Sequence, residues 1–209
     1  MSVYDAYTAW AATYDTDRNL TRDLDATATR TTLAGMRPHS ILELGCGTGK
    51  NTLTLAEIGG RVQALDFSEA MLAQARAKQP GAHVSFSLAD LTRPWPCADE
   101  SVDLIVGNLV LEHIADLGFI FAEAARCLEA GGRFFLSELH PFKQYLGAKA
   151  RFDQAQASVD IPAFTHHISE FTAAAAQAGL GLLSLKEWWH AEDPPGLPRL
   201  VSFLFEKAR

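Results

Sequence analysis

Ile41-Leu42-Glu43-Leu44-Gly45-Cys46-Gly47-Thr48-Gly49-Lys50-Asn51 is the stretch that decides the fold. Its first four residues read as a short apolar strand. Three glycines at alternate positions follow, and Thr52 to Ile58 then reads as a helix closed by Gly59-Gly60. Glycines between a strand and a helix permit unusual backbone angles and let a ligand approach the main chain. The helix N-terminus behind them offers free N–H groups and a partial positive charge, which suits a carboxylate-bearing or anionic ligand. Asp66 lies roughly 20 residues downstream at the end of a second strand, the spacing at which an acid meets a ribose. Loop and acid together point to an adenosine-containing cofactor. The dinucleotide fingerprint G-x-G-x-x-G would place glycine at position 50, where Lys50 stands, and Gly49 comes one place early. The pattern is instead E-x-G-x-G-x-G. By itself it could be a tight turn; the acid at the right distance and the strand context give it weight.

Working outward, strands and helices alternate. Tyr4 to Met36 reads as helical, with Leu20, Leu24 and Leu33 loosely on one face and Pro38 ending it. Val62 to Phe67 is a second strand; Ser68 caps a helix Glu69 to Lys78 that Pro80-Gly81 stops. Val84 to Leu88 is a third strand, and Pro94 and Pro96 mark a loop around Trp95. Val102 to Gly107 is continuously apolar, as a strand buried on both faces should be. A helix Leu117 to Leu128 stops at Gly131-Gly132, and Arg133 to Leu139 is a fifth strand. A helix His166 to Gln177, capped by Thr165, leads to closing strands Leu180 to Trp188 and Leu200 to Phe205, joined by the Pro-rich loop Asp193 to Pro198. The expected architecture is an α/β Rossmann-like, mostly parallel seven-stranded sheet, with helices on both faces and a C-terminal antiparallel hairpin. Ligands then sit beyond the carboxyl ends of the strands.

Composition narrows the classes. At 209 residues, 48% hydrophobic and 21% charged, the chain suits a single globular domain. Its formal net charge of -7, with no basic run, argues against a nucleic-acid partner. Cys46, Cys97 and Cys127 are odd in number and far apart, so no disulfide framework or zinc site is expected. Free thiols fit a reducing cytoplasm. No apolar run is long enough to span a bilayer, and Met1 to Trp10 does not read as a signal peptide. A soluble cytoplasmic protein without a membrane or metal partner is expected, with a homodimer as one admissible assembly.

The glycine loop and its surroundings resemble the first motif of class I S-adenosylmethionine (SAM)-dependent methyltransferases, in particular the small-molecule, type 11-like domain. The resemblance continues through Ala64-Leu65-Asp66-Phe67-Ser68-Glu69-Ala70-Met71-Leu72, Ala89-Asp90-Leu91, Asn108-Leu109-Val110-Leu111-Glu112-His113-Ile114 and Leu128-Glu129-Ala130-Gly131-Gly132-Arg133-Phe134. It covers roughly Arg37 to Glu138, in order and with normal spacings. The resemblance implies a SAM site. Gly45, Gly47 and Gly49, with Cys46, Thr48 and Asn51, pass under the methionine part, and Glu43 lies near its amino group. Asp66 holds the ribose hydroxyls, with Phe67, Ser68 and Met71 beside it. Ala89, Asp90 and Leu91 mark the adenine edge. Asn108, Leu109 and His113 lie near the methionine moiety, and Tyr14 closes over the cofactor from an N-terminal lid. Phe67 and Met71 read more readily as core than as contacts, and Asp90 is also readable as a turn cap and Trp10 and Tyr14 as a packed face. The resemblance divides the single domain 1–209 into a helical lid 1–36, a cofactor core 37–139 and a substrate-side region with closing strands 140–209.

Methyl transfer from a sulfonium needs alignment and a dry site, and a base only where the acceptor must lose a proton. His140, after the fifth strand, is the candidate general base, with a hydrogen-bonded loop histidine as the alternative and Glu138 as a weaker choice. His166 or His167 could face the cleft, and Trp188-Trp189-His190 could line an aromatic pocket or be core. The stretch Phe135 to Asp153 is expected to form part of the substrate pocket. Asn108-Leu109-Val110-Leu111 lacks the N-P-P-Y-type sequence of methyltransferases acting on planar exocyclic nitrogens. The expected acceptor is a small molecule, the product S-adenosylhomocysteine. A nucleotide-dependent (NAD(P)) oxidoreductase on a related fold and a non-catalytic SAM-binding scaffold are the rival readings.

Overall fold

The computed structural model describes residues 2–148, 151–154 and 157–209; the parts of the expected lid and substrate-side region that fall on Met1, Lys149, Ala150, Ala155 and Gln156 lie outside them. The elements run α1 (Val3–Trp10), α2 (Leu20–Leu33), β1 (Ser40–Leu44), α3 (Lys50–Ile58), β2 (Arg61–Asp66), α4 (Glu69–Ala77), β3 (Val84–Leu88) and β4 (Val102–Asn108). After a 3-10 turn at Leu111–His113 come α5 (Leu117–Cys127), β5 (Leu128–Leu139), α6 (Pro141–Tyr145), β6 (Arg151–Gln154), β7 (Ala157–Asp160), α7 (Ile168–Gln177), β8 (Leu180–Trp188) and β9 (Leu200–Lys207).

The main sheet has seven strands in the order β3-β2-β1-β4-β5-β9-β8. All pairs among β1 to β5 are parallel, and β9 joins β5 and β8 antiparallel. This is the expected Rossmann-like sheet with its C-terminal hairpin. Alternation along each strand splits the core in two. Ile41, Leu104, Val106 and Phe135 pack with Leu33 of α2 and Leu55 of α3. Leu42, Leu44, Ile105, Phe134 and Leu136 face α5 and α7, where Phe121 meets Phe134 and Phe205 edge-on at 5.4 Å. Strand order reverses between β1 and β4, so their carboxyl ends open a crevice there.

Three expectations about elements are corrected, and one pair of strands is new. The helix read over Tyr4 to Met36 is two helices. Asn19 accepts the Arg22 N–H at 3.0 Å and starts α2 afresh, and the Arg22 guanidinium bonds the carbonyls of Tyr14 and Asp17 in the break. The helix before β5 ends at Cys127 rather than Leu128. Leu128 already pairs with Val102, and a bulge absorbs Gly131 and Gly132 before Arg133 pairs with Leu104. The cap of α7 is His167, not Thr165: Glu170 accepts the His167 N–H at 2.6 Å. The antiparallel pair β6-β7 was not foreseen from the sequence. No described helix is long and apolar enough to cross a membrane.

Candidate active site

The glycine loop takes the shape that its residues demand. Gly45 sits at φ +65°, and a Cβ there would fall 2.5 Å from Val110 Cγ2, so a side chain would have to displace the β4 loop. Gly47, at φ +53°, has open space where its Cβ would be, leaving bare main chain as a wall. Its N–H donates to Asp66 Oδ2 at 2.8 Å, while Asp66 Oδ1 accepts the Ser68 N–H at 2.9 Å. Asp66 therefore ties the glycine loop to the start of α4. Burial raises its pKa, opposed by these backbone donors. Each carboxylate oxygen keeps acceptor capacity for a ribose hydroxyl.

Three cavities adjoin at the carboxyl ends of β1 and β4. The first, about 160 Å³, lies beside Asp66 and is lined by Gly45, Gly47, Phe67, Met71, Asp90, Leu91, Asn108, Leu109, His113 and, from above, Tyr7 and Tyr14. The second, about 50 Å³, is lined by Asp25, Glu43, Cys46, Thr48, Asn51 and Arg22. The third, about 250 Å³, is lined by Tyr7, Tyr14, Arg22, Leu109, Glu112, Lys143 and Arg199. Leu109 borders all three, at φ +52°. That left-handed conformation is costly for a residue with a side chain, and an N–H bond to Ser137 O at 2.9 Å holds it.

Most of the residues named from the sequence thus come together. Four of the residues expected to bind cofactor or act as the base do not line these cavities. Gly49 caps α3, and Ser68 caps α4. Ala89 packs against the core and gives its N–H to Asp66 O at 2.8 Å. The fourth is His140, and the structure corrects the expectation of a base there. Its Nδ1 accepts the Phe142 N–H at 3.1 Å as the cap of α6, so Nε2 carries the proton, facing Glu187 at 3.0 Å. No lone pair is left to take a proton. Glu138 holds the β4 loop, accepting from the N–H groups of Val110 and Leu111 at 3.2 and 3.1 Å. His166 bonds Ile114 O, and Trp188 bonds Ser202; neither they nor His167, Trp189 and His190 line the three cavities. Asp90 does line the first, while its carboxylate also caps the turn at Thr92.

The electrostatics of the second cavity narrow the choice of ligand. Asp25 and Glu43 are both buried at the second cavity. Asp25 accepts from Asn51 and Asn108 at 2.9 and 2.8 Å, and Glu43 from Thr52 at 2.6 Å. Burial raises both pKa values, Glu43 to about 7. Asn108 Oδ1 is buried without a hydrogen-bond partner, an acceptor waiting for a donor. The buried acids and the orphan acceptor favour a ligand with an ammonium, while Arg22 and Lys50 on the same wall suit its carboxylate, the pair of groups a methionine moiety carries. The residues present therefore fit SAM.

Sequence reading missed Tyr7, Arg22, Asp25 and Glu112. Tyr7 crosses the first cavity from α1: its hydroxyl donates to His113 Nε2 at 2.8 Å, because Nδ1 faces the Pro162 carbonyl at 2.9 Å and must carry the proton. Burial lowers the His113 pKa, so it stays neutral. Arg22 and Asp25, three apart on one face of α2, were the available signal. Glu112 is buried with Oε2 unpaired, and desolvation lifts its carboxyl to about 7.

The fold and these cavities define an α/β domain with acid-lined pockets at the carboxyl ends of its parallel strands. Residues 42–136 match the family described as "Methyltransferase domain". The biotin biosynthesis bifunctional protein BioHC of Cellvibrio japonicus is 33% identical over 85% of this chain and 34% of its own length. A ubiquinone biosynthesis O-methyltransferase of Hydrogenovibrio crunogenus is 33% identical over 68% of this chain and 62% of its own. The chain thus spans less than two thirds of either relative. The N-methyltransferase NodS of Bradyrhizobium japonicum, solved with S-adenosylhomocysteine, shares the fold at TM-score 0.77 and 16% identity, each chain fully covered. Residues 42–136 thus resemble a methyltransferase domain, and the chain has the fold of SAM-dependent methyltransferases.

Proposed function

We propose that this protein transfers a methyl group from SAM to a small-molecule acceptor seated in the 250 Å³ cavity. The observation that carries the proposal is the contact between cavities: Tyr7, Tyr14 and Leu109 line both the acceptor cavity and the one beside Asp66. A group bound in one then lies against a group bound in the other, as an in-line displacement requires. When bound, SAM supplies an activated methyl whose bond to sulfur breaks as an acceptor lone pair forms the new bond, leaving S-adenosylhomocysteine.

The residues of the chain align and enclose. Asp66 accepts from the ribose, and Glu43 and Asp25 offer negative charge to the methionine end. The aromatic rings of Tyr7, Trp10 and Tyr14, with Trp10 and Tyr14 4.7 Å apart, exclude water from the mouth. Where the acceptor is an alcohol or protonated amine, Glu112 takes its proton. It lines the acceptor cavity, its Oε2 is buried without a hydrogen-bond partner, and a carboxyl pushed up to about 7 suits proton removal at neutral pH. The names of the relatives, an O-methyltransferase and a biotin-biosynthesis protein, agree with a small acceptor.

Titration calorimetry with SAM, S-adenosylhomocysteine and NADH, followed by an acceptor screen read by S-adenosylhomocysteine release, tests this. Binding of the first two and turnover of a small hydroxyl or amine compound are expected. Binding of NADH alone would point to hydride chemistry, and cofactor binding without turnover of any acceptor to a scaffold.

A further inference from the structure

Charge in the acceptor cavity is not balanced. Arg22, Lys143 and Arg199 all line it. Lys143 and Arg199 share one carboxylate: Asp193 Oδ1 lies 2.5 Å from Lys143 Nζ and 2.6 Å from Arg199 Nη2, and Oδ2 accepts Arg199 Nε at 2.7 Å. The three side chains are only 14%, 17% and 5% exposed, in the order Lys143, Arg199, Asp193. One carboxylate thus serves two cations from which water is largely excluded. Arg22 is 8% exposed and forms no ion pair among the described residues. It donates to the carbonyls of Tyr14 and Asp17 and lies over the Tyr14 ring at 4.0 Å, leaving guanidinium donors unused. Among the described residues Glu112 is the one acid lining this cavity, and its carboxyl is pushed up to about 7 by burial.

Burying cations without matching anions is costly unless a ligand supplies the missing charge. Resting on the methyltransferase reading above, we propose that the acceptor is a small organic acid whose carboxylate seats on Lys143 and Arg199, with Arg22 adding positive charge on the cofactor side. The arrangement has independent supports. Lys143 comes from α6, Arg199 from the loop before β9 and Arg22 from α2, so three distant segments converge with one sign of charge. Arg199 is also fixed by Thr21 Oγ1 at 2.9 Å, in the first turn of α2. A flexible surface lysine would not be held in this way. The carboxylate would be a positioning handle and not the methylated atom, because Lys143 and Arg199 line this cavity but neither of the two cofactor-side cavities.

The test uses the full chain saturated with S-adenosylhomocysteine and titrated with malonate, succinate and benzoate, each against its neutral amide, and with inorganic phosphate. At least one carboxylate should bind saturably while its amide does not. Lys143→Gln and Arg199→Gln should each weaken that binding tenfold or more with S-adenosylhomocysteine affinity unchanged, which also shows that both variants fold. Equal binding of acid and amide, no carboxylate binding, or binding indifferent to both substitutions would overturn the inference and leave the methyltransferase reading standing. Phosphate binding tighter than every carboxylate would overturn the choice of carboxylate. Failure to bind S-adenosylhomocysteine would overturn both.

Discussion

The two ends of the active site are built in opposite ways. The cofactor end is made largely by main chain and by residues close in sequence: Glu43, the three glycines and Asp66 fall within one β-α-β unit. The end proposed for the acceptor is made by side chains from distant segments, running from Tyr7 on α1 through Arg22, Glu112 and Lys143 to Arg199 before β9. A backbone cradle is intolerant of substitution but carries little information about the acceptor. A cage of side chains can be rebuilt one residue at a time, and this is how one fold serves many acceptors.

That contrast can be broken or sharpened by experiment. The largest expected effect is at the cradle. Asp66→Asn replaces one of the two oxygens that hold the Gly47 and Ser68 N–H groups with a donor and should weaken S-adenosylhomocysteine binding by about 100-fold, close to 3 kcal/mol. A calorimetric loss below fivefold would mean that the loop does not depend on Asp66. At the acceptor end, Glu112→Gln should lower kcat/KM by about 100-fold with an acceptor that loses a proton, and leave cofactor affinity within twofold. Its pH–rate profile should lose the limb near pH 7; an unchanged limb would assign that titration elsewhere.

Glu43 gives a smaller, pH-dependent effect. Its carboxyl is pushed up to about 7 by burial, and an ammonium beside it favours the ionised form. Cofactor binding below pH 7 should therefore release a proton, and affinity should fall by up to roughly tenfold per pH unit as the pH drops. The sign for folding is the reverse. A raised folded-state pKa means that the folded protein binds the extra proton between about 4.5 and 7, so this group's contribution to stability is lost as pH rises through that window. Glu43→Gln should remove the proton release on binding and reduce, without abolishing, the pH dependence of stability to which Glu112 also contributes, seen by calorimetry in buffers of different ionisation heat and by denaturation at several pH values. The smallest effect is at His140. His140→Ala should leave turnover within twofold and cost about 1 kcal/mol of stability through the lost cap. A large fall in turnover at normal stability would return His140 to the chemistry.

Legibility from sequence followed the same division. Alternating strands and helices, the glycine loop and Asp66 are short-range patterns, and they gave the sheet, its hairpin and most of the residues that line the cavity beside Asp66. The break in the N-terminal helix was missed because periodicity alone does not see Asn19 restarting the helix or Arg22 satisfying the carbonyls of the gap. His140 was misplaced for a related reason: its residue type and position after β5 suit a base, but its lone pair is spent on Phe142.

What the amino-acid sequence determined by itself was the order of strands and helices, the conformations only glycine can take and an acid at ribose distance, because each depends on neighbours a few residues away or within one β-α-β unit. Only the tertiary structure decided which charges share a cavity. Arg22, Glu112, Lys143, Asp193 and Arg199 meet through chain reversals that no local pattern encodes, and their burial, which raises the Glu112 pKa and leaves the cations short of anions, exists only once the sheet and its helices have closed around them.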